Sequence, residues 1–324
     1  MPLGAMYSSV EADLIKVENL LKTAGEVDSQ HVAKLLSYSL KGVGKRIRPA
    51  LTLLCGQLYK YNLDSLLPMA ASVELMHTAT LVHDDAIDNS MVRRGRSTVN
   101  SIWGEEKAIL LGDYLFAKAG DLCTDTGNLG VVKLFTQTLE TISAGEIDQS
   151  FGAFNLDQTY DDYIRRISGK TASLFALATE SGAILSKSPP EAVTSLRDYG
   201  FNMGIAFQII DDILDYISTE EEMGKPIGSD LVQGTLTLPA MLLLQKYPDD
   251  NPVKRLFQNK DEADRPRDVA RAIAMVRNSE IVQECYQVAS DYSSRACSGL
   301  NILPDIPTRK ALIELAMYVI RRRK

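Results

Sequence analysis

The sequence contains few of the residues that build disulfide frameworks and transition-metal sites. Its 324 residues include four cysteines and three histidines. The cysteines show no CxxC and no metal-ligand spacing, so reduced thiols in a cytoplasmic protein are expected rather than disulfides. The sequence contains one Glu-x-x-His, at Glu74 and His77, whereas a di-iron bundle needs two, and no EF-hand loop is present.

Long apolar runs and an excess of positive charge are also missing. No stretch approaches ~18 consecutive apolar residues, so no transmembrane helix is expected. Residues 1–21 lack the basic and apolar regions of a signal peptide. The net charge of −7 argues against nucleic-acid binding by the chain as a whole.

Alternating β-strand patterns are almost absent, whereas apolar residues recur every three or four positions along most of the chain. The pattern predicts helices over residues 6–24, 30–41, 47–61, 64–84, 104–123, 128–151, 159–186, 190–218, 234–247, 266–276, 278–298 and 307–322, with a short helix after Pro252. No Gly/Ser-rich linker or short-period repeat divides them. We therefore expect one all-α domain over residues 1–324, a single-domain bundle of about twelve helices.

The motif Asp-Asp-x-x-Asp occurs twice, at positions 127 residues apart (211 − 84). The two copies are Asp84, Asp85 and Asp88, and Asp211, Asp212 and Asp215. In each copy the first and third aspartates share a helix face. A single motif is as well explained by a solvated helix face, but both copies lie among apolar residues, so their carboxylates need cationic partners. Mg²⁺ usually takes one or two carboxylates together with substrate phosphates. The pair therefore predicts a Mg²⁺–diphosphate site.

Basic residues gather in short clusters despite the acidic balance: Lys45, Arg46 and Arg48; Arg93, Arg94 and Arg96; and residues 321–324. Such clusters favour small anions, phosphate above all. The first cluster enters a helix N-terminus, which also attracts anions. The first cluster is equally explained by a surface basic turn, and the last one is better explained by the dipole of its helix. His77 lies two helical turns before Asp84, which suits either a core histidine or a phosphate donor.

The chain resembles the trans-type isoprenyl (polyprenyl) diphosphate synthases over essentially its whole length. The matching stretches are GKRIRP, ELMHTATLVHDDAIDNSMVRRG, GDYLFAKA, GEIDQ, GKTASLF, GIAFQIIDDILDY and GKPIGSDL. The resemblance implies an all-α bundle of the isoprenoid synthase type around a deep central cavity, usually a homodimer. It also implies that isopentenyl diphosphate is condensed head-to-tail with an allylic diphosphate, with three Mg²⁺ ions per active site.

The resemblance also implies a role for each matching residue. The metal ligands are Asp84, Asp88, Asp211 and Asp215, with Asp85 and Asp212 as catalytic support. Contacts to the allylic diphosphate or its leaving group are implied for Arg93, Lys170, Thr171, Gln208 and Lys225. Contacts to isopentenyl diphosphate are implied for Lys45, Arg48, His77 and Arg94, with the C-terminal basic run closing over the same site. Thr235 stands where many relatives have lysine, which leaves a phosphate contact there open.

Product length is expected to depend on the residues just before the first motif. In the family, a bulky residue five or four positions before the first aspartate stops chain growth, and here Ala79 and Thr80 are both small. We therefore expect open space beside Ala79 and a product longer than C20, with geranylgeranyl or farnesyl diphosphate synthase as the alternative. Met76 is either a deeper floor of the product cavity or an ordinary core residue. The same alternatives hold for Leu134, Phe135 and Leu139 on a neighbouring helix.

Three other functions remain open at this point. A class I terpene cyclase also ionises an allylic diphosphate, but its second metal motif typically differs from the second Asp-Asp-x-x-Asp found here. A non-catalytic subunit of a heteromeric prenyl synthase would usually lose one motif. A purely structural helical protein would not require either motif.

Overall fold

Helices account for nearly all regular structure in this computed structural model, which describes residues 3–25, 27–41, 44–220, 226–258 and 263–322. The longer helices are α2 (Glu11–Thr23), α3 (Gln30–Leu40), α4 (Ile47–Gln57), α5 (Leu63–Ile87), α7 (Glu105–Thr124), α8 (Leu129–Phe151), α10 (Ser173–Leu185), α11 (Pro190–Ile217), α15 (Arg265–Arg277), α16 (Ile281–Ser298) and α17 (Pro307–Arg321). The shorter ones are α1 (Leu3–Met6), α6 (Val99–Trp103), α9 (Tyr160–Ile167), α12 (Ser229–Val232), α13 (Leu238–Lys246) and α14 (Pro252–Gln258). The predicted all-α class is confirmed, and the sequence pattern missed mainly the short helices α1, α6 and α12.

Helix boundaries follow local signals that the sequence displays. Thr159 and Asp162 form a reciprocal capping box at the start of α9, and the Asn128 side chain accepts the backbone N–H of Val131 at the start of α8. Pro190 occupies the first position of α11, where its missing N–H has no cost. These signals explain why most predicted helices lie within a few residues of the observed ones.

The predicted helix over 159–186 is interrupted by a π-helix at Ser168–Ala172. Apolar spacing does not reveal such a bulge, because the flanking helices keep the ordinary period. π-Helical turns are rare and occur mostly at functional sites. This one places Lys170 and Thr171 at the middle of the bulge.

A small hairpin follows α5 and was also missed by the sequence pattern. Strands β1 (Val92–Arg93) and β2 (Arg96–Ser97) pair in antiparallel register. Arg94 and Gly95 between them have φ angles of 52° and 72°, which is the left-handed geometry of a tight two-residue hairpin turn. The turn sends the chain back, so Arg93 and Arg94 lie beside the end of α5.

Helix α11 contributes to both apolar clusters of the molecule. Met203 and Ala206 belong to a buried cluster that also includes residues of α4, α5 and α10, while Ile205, Ile209 and Ile213 belong to a second cluster with residues of α9, α13 and α16. The second half of α11, residues 203–216, is buried on most faces, whereas Arg197 and Asp198 in its first half are exposed. Asp212 and Asp215 of the second motif therefore lie in the interior, while Asp211 is partly exposed.

Two faces of α5 have different partners. Ser72 donates a hydrogen bond to the carbonyl of Ala119 on α7, and His83 packs so closely on Gly112 that a Cβ there would lie 2.0 Å from the imidazole Nε2. Ala79, one turn before His83, lies on this α7-facing stripe. The other face carries His77, Thr80 and Asp84.

Across the helices of the described ranges, none has an apolar stretch long enough to cross a bilayer.

Candidate active site

The first aspartate motif lies in the last turn of α5, where each carboxylate meets a different partner. Asp84 Oδ2 is 3.4 Å from Lys170 Nζ, and Asp85 Oδ1 accepts a 2.6 Å hydrogen bond from Arg93 Nε. Burial raises the pKa of Asp85 and of Asp88, although Arg93 and Lys170 respectively act against it. A helix C-terminus also disfavours negative charge. The negative charge of these carboxylates is therefore unfavourable unless cations lie close by.

Lys170 bridges this motif to helix α8. Its Nζ lies 2.8 Å from Glu146 Oε1, closer than it lies to Asp84. Burial lowers the pKa of Lys170, but the carboxylates of Asp84 and Glu146 outweigh it and hold that pKa above its usual range. Glu146 was not assigned a role from the sequence, although it stands in the GEIDQ stretch.

The three aspartates of the second motif have different environments. Asp211 is 39% exposed, and its Oδ1 lies 2.6 Å from Arg322 Nη2. Asp212 is buried. Burial raises its pKa to about 6, although hydrogen bonds from Gln208 and Tyr163 oppose the shift. In this motif, Asp211 is the carboxylate that faces accessible space.

Asp215 supports the first residues of α12. It is 1% exposed, its Oδ1 accepts from Ser229 Oγ at 3.0 Å, and its Oδ2 accepts the backbone N–H of Asp230 at 3.2 Å. Gln233, directly after α12, contacts the first motif through a hydrogen bond to Asp88. The assignment of Asp215 as a metal ligand therefore stays a prediction, since both of its oxygens contact the start of α12.

A chain of side-chain hydrogen bonds joins the π-helix to α11 and α9. Thr171 Oγ1 donates to Gln208 Oε1 at 2.6 Å, Gln208 Nε2 donates to Asp212 Oδ1 at 2.8 Å, and Tyr163 OH donates to Asp212 Oδ2 at 2.8 Å. The sequence pointed to Thr171, Gln208 and Asp212 but not to Tyr163, which is 49 residues from Asp212. This chain fixes Lys170, next to Thr171, relative to the second motif.

A cationic cluster lies between α4, α5 and the hairpin. The guanidinium of Arg48 stacks 4.5 Å from the Phe175 ring centroid, and its buried Nε has no hydrogen-bond partner within the described part of the chain. Burial lowers the pKa of Arg48 to about 10, with Glu74 and Asp211 opposing. Burial, then Arg48 and Arg94, lowers the pKa of His77 well below its usual value. A neutral imidazole adds no further positive charge to the guanidinium groups, and it can donate a hydrogen bond to an anion that they bind.

Arg46 holds the loop that precedes this cluster. It adopts a φ of 49° and forms ion pairs with Glu18 on α2 and Glu74 on α5. A Cβ on Gly44 would lie 3.7 Å from Arg94 Nη1 and from Glu74 Oε1. Arg94 therefore reaches over the same loop, while Lys45 is exposed with its Nζ 5.8 Å from the Tyr318 ring centroid.

Arg322 returns the chain terminus to the second motif. It is 7% exposed, lies 3.7 Å from the Phe207 ring centroid, and donates to the carbonyl of Phe207 at 2.6 Å. The expectation that the basic run closes over the isopentenyl diphosphate site stays a prediction. Residues 323 and 324, and the predicted phosphate contact Lys225, lie outside the described residues.

The predicted chain-length residues are not in one place. Ala79 and Met76 are fully buried, so the expectation of open space beside Ala79 is wrong, because that face of α5 packs on α7. Thr80 is half-buried on the face of Asp84, and its Oγ1 donates to the His77 carbonyl at 2.8 Å. Leu134 instead lines a cavity of about 1030 Å³ between α8 and α10, whose lining includes no aspartate of either motif.

The donor set fits Mg²⁺ shared with a substrate. Within the described ranges, no three acidic, histidine or cysteine side chains converge on a point that could hold a metal ion. Mg²⁺ does not need such a cage, since it usually takes one or two carboxylates and completes its shell with water and phosphate oxygens. Asp84 and Asp211, each paired with a flexible cation, are suited to that arrangement.

Known proteins resemble this chain over most of its length. The family model described as polyprenyl synthetase matches residues 29–276. Heptaprenyl diphosphate synthase component 2 from Geobacillus stearothermophilus is 35% identical over 99% of each chain. The geranyl-diphosphate-specific all-trans-nonaprenyl-diphosphate synthase from Rhodobacter capsulatus is 39% identical over 91% of each. The crystal structure of a polyprenyl synthase from Caulobacter crescentus, complexed with calcium and isoprenyl diphosphate, superposes with a TM-score of 0.94 at 33% identity, covering 100% of this chain and 98% of that one.

Proposed function

The chain belongs to the polyprenyl synthetase family, and we propose that it condenses isopentenyl diphosphate head-to-tail with an allylic diphosphate to make an all-trans polyprenyl diphosphate. The observation that carries this proposal is the pairing of two aspartate motifs, each neutralised by its own cation, with a cluster of guanidinium groups around His77. Such a site offers places for two diphosphates of different kinds. We take the chain to be one domain, since α11 packs in both apolar clusters.

The allylic diphosphate is assigned to the space between the two motifs. Asp84, Asp88 and Asp211 would hold Mg²⁺, three ions per site, and Asp215 would join them if its contacts to α12 open. When bound, Mg²⁺ supplies positive charge that stabilises the diphosphate as the allylic C–O bond breaks. Lys170 and Arg93 would then contact the diphosphate oxygens.

Isopentenyl diphosphate is assigned to the cationic cluster. Arg48 and Arg94 would bind its phosphates, with Lys45 at the exposed edge. His77, held neutral, donates one hydrogen bond without adding charge. The double bond of this substrate attacks the allylic cation, and the proton released passes to the departed diphosphate, so the protein needs no nucleophile.

A product longer than C20 is proposed on two grounds. Thr80, on the face of α5 that carries Asp84, is small and partly accessible. The relatives described above are named for heptaprenyl and nonaprenyl products. The name of the Rhodobacter capsulatus relative makes geranyl diphosphate the first allylic primer to test.

A homodimer is proposed from exposed apolar side chains next to the first motif. Ile87 and Met91 are each 62% exposed, and Leu110 on α7 is 59% exposed. Clustered exposed apolar residues mark protein contacts. Both aspartate motifs and the cationic cluster are present in one chain, which argues against a non-catalytic subunit, while the name component 2 of one relative makes a second, different subunit the alternative to test. The four reduced cysteines support a cytoplasmic location.

One assay tests the function. The purified chain is incubated with Mg²⁺, isopentenyl diphosphate and either geranyl or farnesyl diphosphate, and product lengths are measured by mass spectrometry. Elongation beyond C20 by the chain alone is expected. No elongation would overturn the proposal, and a cyclised hydrocarbon would favour a terpene cyclase. Light scattering on the same sample gives the oligomeric state.

A further inference from the structure

Glu146 is a half-buried carboxylate beside the first aspartate motif that the mechanism above does not use. It comes from α8, while the aspartates come from α5 and Lys170 comes from the π-helix. Its Oε1 lies 2.8 Å from Lys170 Nζ, whereas Asp84 Oδ2 lies 3.4 Å from the same nitrogen. Glu146 is thus the nearest anion to the lysine that faces the predicted metal ligand.

A close contact between two glycines creates this arrangement. A Cβ on Gly145 would lie 3.7 Å from Gly169 Cα and from the backbone nitrogen of Lys170. A Cβ on Gly169 would lie 3.3 Å from the carbonyl oxygen of Thr141. The backbones of α8 and the π-helix therefore touch here, and the next residue on each is a charged one, Glu146 and Lys170.

The π-helix contributes the direction of the lysine side chain. Lys170 is the central residue of Ser168–Ala172, where the wider turn changes the side-chain direction relative to an α-helix. Ser168 and Ser173 donate to the carbonyls four residues earlier, at 2.6 Å each. Hydrogen bonds thus hold both ends of the bulge while its centre faces α5 and α8.

Charge explains why Glu146 matters to Asp84. A lysine ammonium on a four-carbon stem moves readily to the nearest anion. Without Glu146, Lys170 would close onto Asp84 and compete with a divalent cation for that carboxylate. With Glu146, the ammonium is held between the two helices, near but not in close contact with the metal ligand.

We propose that Glu146 is a positioning residue that restrains Lys170, so that Asp84 stays available to Mg²⁺ while the ammonium faces the diphosphate. This inference rests on the proposed function of the site. It assigns no contact between Glu146 and substrate or metal. Its effect passes through Lys170 alone, which makes the effect separable from a direct electrostatic contribution.

The test measures Mn²⁺ binding in the presence of inorganic diphosphate, by electron paramagnetic resonance of free Mn²⁺. Glu146→Gln should weaken Mn²⁺ binding by about tenfold, in the range usual for residues that orient metal ligands. In a Lys170→Met background, Glu146→Gln should have no further effect. Glu140→Gln is the matched control, since it removes an exposed carboxylate from the same helix.

Two results would overturn the inference. One is unchanged Mn²⁺ affinity in Glu146→Gln, with circular dichroism showing a folded protein. The other is a full effect of Glu146→Gln in the Lys170→Met background, which would mean that Glu146 acts directly on the metal. Gly169→Ala, which pushes α8 and the π-helix apart, should reproduce the Glu146→Gln defect. Wild-type protein that binds Mn²⁺ with the expected coupling but elongates nothing would overturn the proposed function instead.

Discussion

Arg322 and Asp211 form an ion pair that joins the end of the described chain to the second aspartate motif, with Nη2 2.6 Å from Oδ1. Lys170 forms a longer ion pair with Asp84, with Nζ 3.4 Å from Oδ2, and lies closer to Glu146. Both carboxylates that the sequence pointed to first are thus neutralised by a long, flexible cation from another element. Each cation is placed to exchange its carboxylate for a phosphate oxygen when metal and substrate enter.

Removing the Arg322 cation should favour metal binding. We expect Arg322→Met to tighten Mn²⁺ binding in the absence of substrate by roughly tenfold, about 1.4 kcal/mol, because Asp211 no longer has a competing partner. Isothermal titration gives the affinity. Arg321→Met, an exposed neighbour, is the control. Equal affinities in wild type and Arg322→Met would show that the ion pair does not compete with metal.

Removing the carboxylates themselves should abolish turnover. Asp84→Ala and Asp211→Ala are each expected to lower the rate of isopentenyl transfer by orders of magnitude, because the charge of the departing diphosphate is then poorly stabilised. Radiolabelled isopentenyl diphosphate measures the rate, with thermal melting as a check on folding. Wild-type turnover in the double variant would contradict the assignment of Asp84 and Asp211 as metal ligands.

Tyr163 should matter for stability through Asp212. Tyr163→Phe removes a donor from a buried carboxylate, and hydrogen bonds to charged groups contribute about 1.5–3 kcal/mol. Urea unfolding measures the loss. Tyr199→Phe is the comparison, because Tyr199 is equally buried but donates to a neutral carbonyl of Leu312, and it should cost about 1 kcal/mol. A smaller loss at Tyr163 than at Tyr199 would contradict the account.

His77 should make stability fall on acidification. Its pKa is well below the usual 6.5 because of burial and then Arg48 and Arg94, so the unfolded chain binds a proton below about pH 6.5 that the folded protein does not. The free energy of unfolding then decreases as pH drops, by up to ~1.4 kcal/mol per unit. We expect a larger fall in Tm between about pH 7.5 and 5.5 for wild type than for His77→Gln. Parallel falls would exclude His77 as the cause.

Thr80, rather than Ala79, should control product length. Thr80→Tyr places a ring one turn below Asp84 on the accessible face and is expected to shorten the product at near wild-type Tm. Ala79→Tyr overfills the packed contact between α5 and α7, which typically costs 1–3 kcal/mol, so a lower Tm is expected. Mass spectrometry and melting curves on both variants decide the matter. Unchanged product length in Thr80→Tyr would remove it as a determinant.

The sequence by itself determined the helices and the two acidic motifs. Both depend on short-range physics: apolar residues three or four apart choose a helix face, capping residues such as Thr159 fix its start, and aspartates four apart meet on one side. Helix α11 was therefore predicted as 190–218 and observed as Pro190–Ile217. The predicted roles of Lys45, Arg48 and His77 came from the likeness to a known family, because spacing alone does not indicate them.

Only the tertiary structure decided how chemically identical residues differ. Asp211, Asp212 and Asp215 lie within five positions, yet their partners are Arg322, Tyr163 and Ser229, which come from other helices. The π-helix that turns Lys170 toward Glu146 likewise leaves no mark in the apolar period. Such partners are distant in sequence, and packing of α11 against α9, α12 and α17 brings them together. A carboxylate's neighbours, and hence its role, are set by that packing.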